Sequence, residues 1–312
     1  MRVFETRLIG IALVAAAIAG GSPRPASAQA QTEQPVFRSQ TELVSVTAVV
    51  RDKRGRIIRT LTQDDFVLTD SGAPQAVVDF WSDAKAPASV TFLVDGSGSM
   101  AAGADSARRI SEMLLTHLAP HRDEVALMSF DTRLLRLRDF TGDFDRIRRG
   151  FNELDAFGAS SVYDAIAGAA GMVAERTGIR RAMVVITDGS DNASAYTPAE
   201  VAWIASSIDV PVYVFAVGHN HEIVQAADRT RRHRISTPLM DLARATGGDF
   251  FYAATAAEQE LAATRVVDEL RHQYFFAFEP SALDGLHRLE IRARNPELKV
   301  RSRQWYSTGS AD

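Results

Sequence analysis

Residues Val90 to Met100 read Val-Thr-Phe-Leu-Val-Asp-Gly-Ser-Gly-Ser-Met. The first five form an almost unbroken apolar run of β-forming residues, the pattern of a strand buried on both faces. The run breaks at Asp95-Gly96-Ser97-Gly98-Ser99, where two glycines permit the tight, closely approached backbone of a loop built around a ligand. Helical spacing follows, with Ala107, Ile110, Leu114 and Leu118 on one face. One carboxylate and two hydroxyls therefore leave the carboxyl end of a buried strand in a strand-loop-helix unit. Open α/β sheets hold their ligands at that position.

Strands and helices alternate downstream. The pattern predicts strands over Val125–Phe130, Leu134–Leu137 (short), Ala182–Thr187, Val210–Val217 and Phe250–Tyr252. It predicts helices over Phe144–Leu154, Val162–Ala174, Pro198–Ile208, Pro238–Thr246 and Ala256–Tyr274. Pro198 suits a first helical turn, and Gly247-Gly248 a helix stop. Such alternation predicts a mostly parallel sheet covered by helices on both faces.

Both ends of the chain are β-rich. Leu43–Val50 alternates as a half-buried strand, and Leu61–Asp65 reads as one helical turn capped by Thr62. Phe66–Asp70 and Gln75–Trp81 read as a hairpin around Ser71-Gly72. Tyr274–Phe278, Leu286–Ala293 and Leu298–Trp305 read as three further strands. Neither end is large enough for its own core, so the two are expected to meet in one small β-rich module with the α/β domain inserted. The expected organisation is an export signal over 1–28, a flexible lead-in over 29–38, an N-terminal β segment over 39–84, the α/β domain over 88–274 and a C-terminal β segment over 275–308.

The chain has 312 residues, 46% hydrophobic and 24% charged, with a formal charge of −4. Those values describe an ordinary globular protein with no call for nucleic acid or an anionic membrane as partner. Arg2 and Arg7 precede an apolar run from Leu8 to Ala19, and Ala26-Ser27-Ala28 fits a small-x-small cleavage site. The run is too short for a spanning helix of about 20 residues, so a periplasmic or secreted protein is expected rather than one with a stable membrane span. No cysteine is present, which rules out disulfides and thiol chemistry.

Three separated stretches are expected on one edge of the sheet: Asp95-x-Ser97-x-Ser99, the loop Gly158-Ala159-Ser160-Ser161 before a helix, and Thr187-Asp188-Gly189 after a strand. Their carboxylate and hydroxyl oxygens are hard donors suited to Mg²⁺, Mn²⁺ or Ca²⁺. Taken singly, some have plainer explanations. Ser160 or Ser161 can cap the following helix, and Asp188-Gly189 can be only a turn. Asp191 and Asn192 could touch a ligand at the rim, but turn residues are the plainer reading. His219 and His221, and the basic run Arg229 to Arg234, read as a solvated loop.

The three motifs in this order resemble the von Willebrand factor type A domain over roughly Val90 to Tyr274. The flanking Leu61 to Phe66 and Leu298 to Arg301 also resemble exported bacterial proteins of that family. The resemblance implies a Rossmann-like fold and a metal-ion-dependent adhesion site. In it Ser97 and Ser99 bind the metal directly, Ser160 stands where threonine is usual, and Asp95 and Asp188 hold metal-bound waters or coordinate at longer range. It implies an adhesion or interaction module whose partner protein supplies an Asp or Glu carboxylate, with Mg²⁺ as the first expectation. A metal-free interaction scaffold is the alternative within binding proteins. A Mg²⁺-dependent phosphoryl-transfer enzyme using Asp95 is a weaker one, because the α/β segment contains no lysine. No nucleophile elbow, zinc-protease motif or phosphate loop occurs, so no enzyme activity is expected.

Overall fold

The computed structural model describes residues 43–176, 180–217, 238–281 and 284–308. The expected export signal, the lead-in and the loop holding His219, His221 and the arginine run lie outside the described residues. Four strands open the described chain: β1 (Val44–Arg51), β2 (Phe66–Asp70), β3 (Ala73–Gln75) and β4 (Val77–Trp81). The α/β domain follows with β5 (Ala88–Asp95), α1 (Ala104–His117), β6 (Glu124–Phe130), β7 (Leu134–Thr141), α2 (Phe144–Gly150), α3 (Val162–Ala174) and β8 (Arg180–Thr187). It continues with α4 (Pro198–Ser207), β9 (Val212–Ala216), α5 (238–245), β10 (Phe250–Tyr252) and α6 (Ala256–Arg271). The chain ends in β11 (Tyr274–Phe278), β12 (Gly285–Ala293), β13 (Lys299–Ser302) and β14 (Trp305–Thr308).

The central sheet has the order β10-β9-β8-β5-β6-β7, parallel except for the antiparallel edge strand β7. β5 lies in its middle and is buried along its whole length. Its side chains alternate between two apolar layers. Val90, Phe92 and Val94 pack with Ile110 and Leu114 of α1, Ile147 of α2 and Val266 of α6. Leu93 points the other way, among Ile166 of α3, Val201 of α4 and Leu242 of α5. Each such fully buried Phe or Leu contributes about 1.5–3 kcal/mol, which is why this run forms the centre of the fold.

The two ends of the chain meet as expected. One sheet has the order β13-β1-β11-β4 and the other β14-β12-β2-β3, so each draws strands from both termini. Their shared core holds Val46, Phe66, Leu68, Phe276, Leu289 and Tyr306.

Several expected elements come out differently, among them the helix expected over Phe144–Leu154, which ends at Gly150 and passes into a 3-10 turn over Phe151–Glu153. The Gln75–Trp81 arm is two strands: β3 pairs with β2, whereas β4 crosses to the other sheet and pairs with β11. Stacking of Trp81 on Phe275, with centroids 4.1 Å apart, fixes that crossing. Leu298–Trp305 likewise divides between β13 and β14. β7 runs on to Thr141, an edge strand whose burial does not alternate and whose pairing with β6 shifts register, so the pattern gave only its first half. Tyr274 continues the spacing of Leu270 yet opens β11, because α6 stops at Arg271.

Candidate metal centre

All three motifs lie at the carboxyl ends of the parallel strands or on the loops leaving that edge. Asp95 closes β5 and is 3% exposed. Its Oδ1 accepts from the Ser97 amide at 2.9 Å, which folds the loop back over the carboxylate. Ser97 is buried and Ser99 exposed, and their hydroxyl oxygens lie 3.1 Å apart. Gly96 fits only because it has no side chain: a Cβ there would stand 2.8 Å from Ser129 Oγ and 3.1 Å from the Asp155 carbonyl.

Ser160 comes from the second loop, and its Oγ donates to Asp95 Oδ2 at 3.2 Å. The loop turns at Gly158, whose φ of +87° belongs to the region glycine adopts without strain. Gly98 donates to the Gly158 carbonyl at 3.1 Å and Phe157 to the Gly96 carbonyl at 2.7 Å, so the first two motifs are stitched together through backbone. Neither Ser160 nor Ser161 caps α3 with its side chain. Asp191 Oδ1 accepts from the Val162 amide, and Ser194 Oγ from the amides of Tyr163 and Asp164. The capping explanation for Ser160 therefore fails, and its hydroxyl faces Asp95.

The third motif supplies two different groups. Thr187 Oγ1 donates to Asp95 Oδ2 at 2.6 Å and accepts from the Gly189 amide at 3.0 Å. Asp188 is half-buried and makes a turn, its Oδ1 accepting from the Ser190 amide at 2.8 Å. Its carboxylate is near enough to Asp95 for the two charges to repel. Burial first, and then Asp188, push the Asp95 carboxyl above its ordinary value against the bonds from Thr187 and Ser97.

Asp191 and Asn192 do more than turn the chain. Asn192 Oδ1 accepts from the Ser160 amide at 3.0 Å, and the Asn192 amide returns a bond to the Ser160 carbonyl at 3.0 Å. Thr187 and Asn192 are the positioning residues that the sequence reading left out of the site. Only the Thr-Asp-Gly motif pointed to Thr187, and no sequence signal connected Asn192 to Ser160.

The donor set is two carboxylates and three hydroxyls. Among the described residues no three His, Asp or Glu side chains gather into a metal-binding group, so the hydroxyls are essential to any cation held here. Among the described residues no Arg, Lys or His forms an ion pair with Asp95 or Asp188. A buried carboxylate without a counter-charge is costly, and a hard divalent cation is the group that Asp95, the three serines and Asp188 fit.

The sequence profile of the von Willebrand factor type A domain matches residues 90–190. No curated protein matches the chain. Among solved structures, the chain is similar to the conserved hypothetical protein BatB of Bacteroides thetaiotaomicron, at 20% identity and a TM-score of 0.47, over 58% of this chain and 98% of that one. It is also similar to a von Willebrand factor type A protein of Catenulispora acidiphila, at 11% identity and a TM-score of 0.47, over 86% and 76% of the two chains. The vWF domain of the type V pilus tip protein Mfa5 of Porphyromonas gingivalis shares 25% identity over 34% of this chain and 39% of that one, with a TM-score of 0.31. The match to the von Willebrand factor type A domain thus covers residues 90–190, a stretch that begins within β5 and lies between the N- and C-terminal strands of the β-rich module.

Proposed function

We propose that this protein is an exported interaction module that binds another protein through a divalent cation, Mg²⁺ in the first instance. Ser97, Ser99 and Ser160 would supply hydroxyl oxygens, and Asp95 and Asp188 would supply the negative charge. The observation that carries the reading is the buried Asp95 carboxylate, ringed by hydroxyls and without a basic partner among the described residues. When bound, the cation supplies a Lewis-acidic position that an Asp or Glu carboxylate of the partner can occupy.

This chain's residues hold that position rather than perform chemistry. Thr187 and the Ser97 amide orient Asp95, and Asn192 fixes the loop carrying Ser160. Among the described residues the hydrogen-bond neighbours of the serine hydroxyls are one another and the Asp95 carboxylate that already accepts from Thr187. That arrangement supports binding, not turnover. Export rests on the Arg2 to Ala28 pattern, and among the described residues no helix is long and apolar enough to cross a membrane.

A labelled peptide with a single aspartate, followed by fluorescence anisotropy, tests the reading. Binding should appear in Mg²⁺ and vanish in EDTA and in Asp95→Ala. Binding that survives both would overturn the metal-dependent account in favour of a metal-free scaffold.

A further inference from the structure

A second feature lies in the β-rich module. β12 and β13 follow one another through the Asn295-Pro296 turn, yet they part instead of pairing. The last bond between the two arms joins the Leu289 amide to the Gln304 carbonyl at 2.8 Å. Beyond it, β12 pairs only with β2 from Leu289 to Ala293, and β13 only with β1. A groove of about 910 Å³ opens along the parted strands. Every residue from Arg288 to Ala293 and from Leu298 to Ser302 lines it. Successive strand residues point to opposite faces, so an unbroken lining means that strand edges look into the groove, with backbone donors and acceptors exposed.

The lining is strongly cationic although the whole chain carries −4. Eight arginines and lysines face it against three acids, Asp52, Asp249 and Glu290. Some of that charge is already answered: Arg51 and Arg301 both bind the buried Glu269, and Arg265 binds Asp249. Arg244, Arg288 and Lys299 are exposed and form no side-chain bond or ion pair among the described residues. The lining also includes the half-buried apolar residues Leu298 and Val300.

We infer that this groove binds an extended acidic polypeptide segment, with alternate carboxylates on Arg244, Arg288 and Lys299. Three observations select a peptide over a phosphate or sulfate polymer. The exposed strand edges present carbonyl acceptors as well as amide donors, and only a peptide backbone answers both. The three acids in the lining oppose a dense polyanion, whereas carboxylates spaced by apolar side chains avoid them. The apolar residues offer contact to those spacers. The groove is built from β12, β13 and their neighbours and shares no residue with the candidate metal centre, so the inference stands independently of it.

The test is fluorescence anisotropy with a labelled ten-residue peptide alternating Glu and Val, using the full chain in EDTA and repeated on Asp95→Ala. Inorganic polyphosphate and a Lys-Val peptide of equal length serve as competitors. The Glu-Val peptide should bind in EDTA and to Asp95→Ala, weakening about tenfold or more as salt rises from about 0.05 to 0.5 M. R244E, R288E and K299E combined should remove binding while circular dichroism stays unchanged. The milder R244Q/R288Q/K299Q variant should weaken it by about tenfold or more. No peptide binding, binding unaffected by either variant, or displacement by polyphosphate at lower charge concentration than by free Glu-Val peptide would overturn the inference.

Discussion

Thr187 and Asp95 end two neighbouring parallel strands, and the Thr187 hydroxyl donates to Asp95 Oδ2 at 2.6 Å. The bond holds the carboxylate in place before any ligand arrives, because Asp95 is held in register opposite Phe130 of β6 and Thr187 opposite Ala216 of β9. Thr187→Val keeps the shape and removes the donor. A buried bond to a charged group contributes about 1.5–3 kcal/mol, so the variant should unfold at lower urea while keeping its secondary structure. Its Mg²⁺ affinity should fall about 10–100-fold, the usual cost of losing a partner of a metal ligand. Unchanged affinity would mean that Thr187 does not position Asp95.

Asn192 makes a related prediction from farther away. Its side chain touches none of the proposed donor oxygens but accepts from the Ser160 amide. Asn192→Ala should lower Mg²⁺ affinity by about tenfold, while Asn192→Asp, which keeps the acceptor, should retain most of it. Equal loss in both variants would assign Asn192 a purely structural role.

Gly158 tests backbone shape separately from space. A Cβ there would meet nothing closer than 3.7 Å, but φ is +87°. Gly158→Ala should therefore cost about 1–2 kcal/mol through conformation alone, read as a lower urea midpoint. Wild-type stability would show that the loop has a second accessible conformation.

Acid sensitivity should centre on Asp123, far from the proposed site. Its carboxylate is fully buried and accepts from Arg271 and from the amides of Ala88 and Ala119. Burial raises its pKa, but Arg271 and the two amides outweigh it and hold the group below its ordinary value. A lowered folded-state pKa contributes stability that is complete above the unfolded value of about 3.9 and lost as pH falls through the folded one. Unfolding free energy should therefore drop below about pH 4. Asp123→Asn should cost about 3–5 kcal/mol at pH 7, since it leaves Arg271 without its partner, and should flatten that acid limb. An acid limb as steep as the wild type's would assign the sensitivity to other carboxylates.

Much of this was legible in the sequence, and the reason is locality. Asp95, Ser97 and Ser99 lie within one turn of chain, so their pattern states both the loop and its donors. The apolar run of β5 is unbroken because both faces are covered, and that fixed its central place. Contacts between distant segments left no such trace. Ser160 meets Asp95 across 65 residues and Thr187 meets it across 92, and only the order of the three motifs, not any local pattern, brought these segments together in the sequence. Asn192 reaches Ser160 through a loop whose composition reads only as a turn. The β ends were legible as strands that meet but not in their pairing order, since alternation cannot tell β4 following β3 in one sheet from β4 crossing to the other.

Calorimetric titration of Mg²⁺ and Mn²⁺ into the full chain, beside Asp95→Ala and Ser97→Ala/Ser99→Ala, tests the central claim most directly. Saturable one-site binding to the wild type, absent from both variants with circular dichroism unchanged, is the predicted result. Metal binding that persists in the variants, or none to the wild type even with acetate present to supply the missing carboxylate, would contradict it.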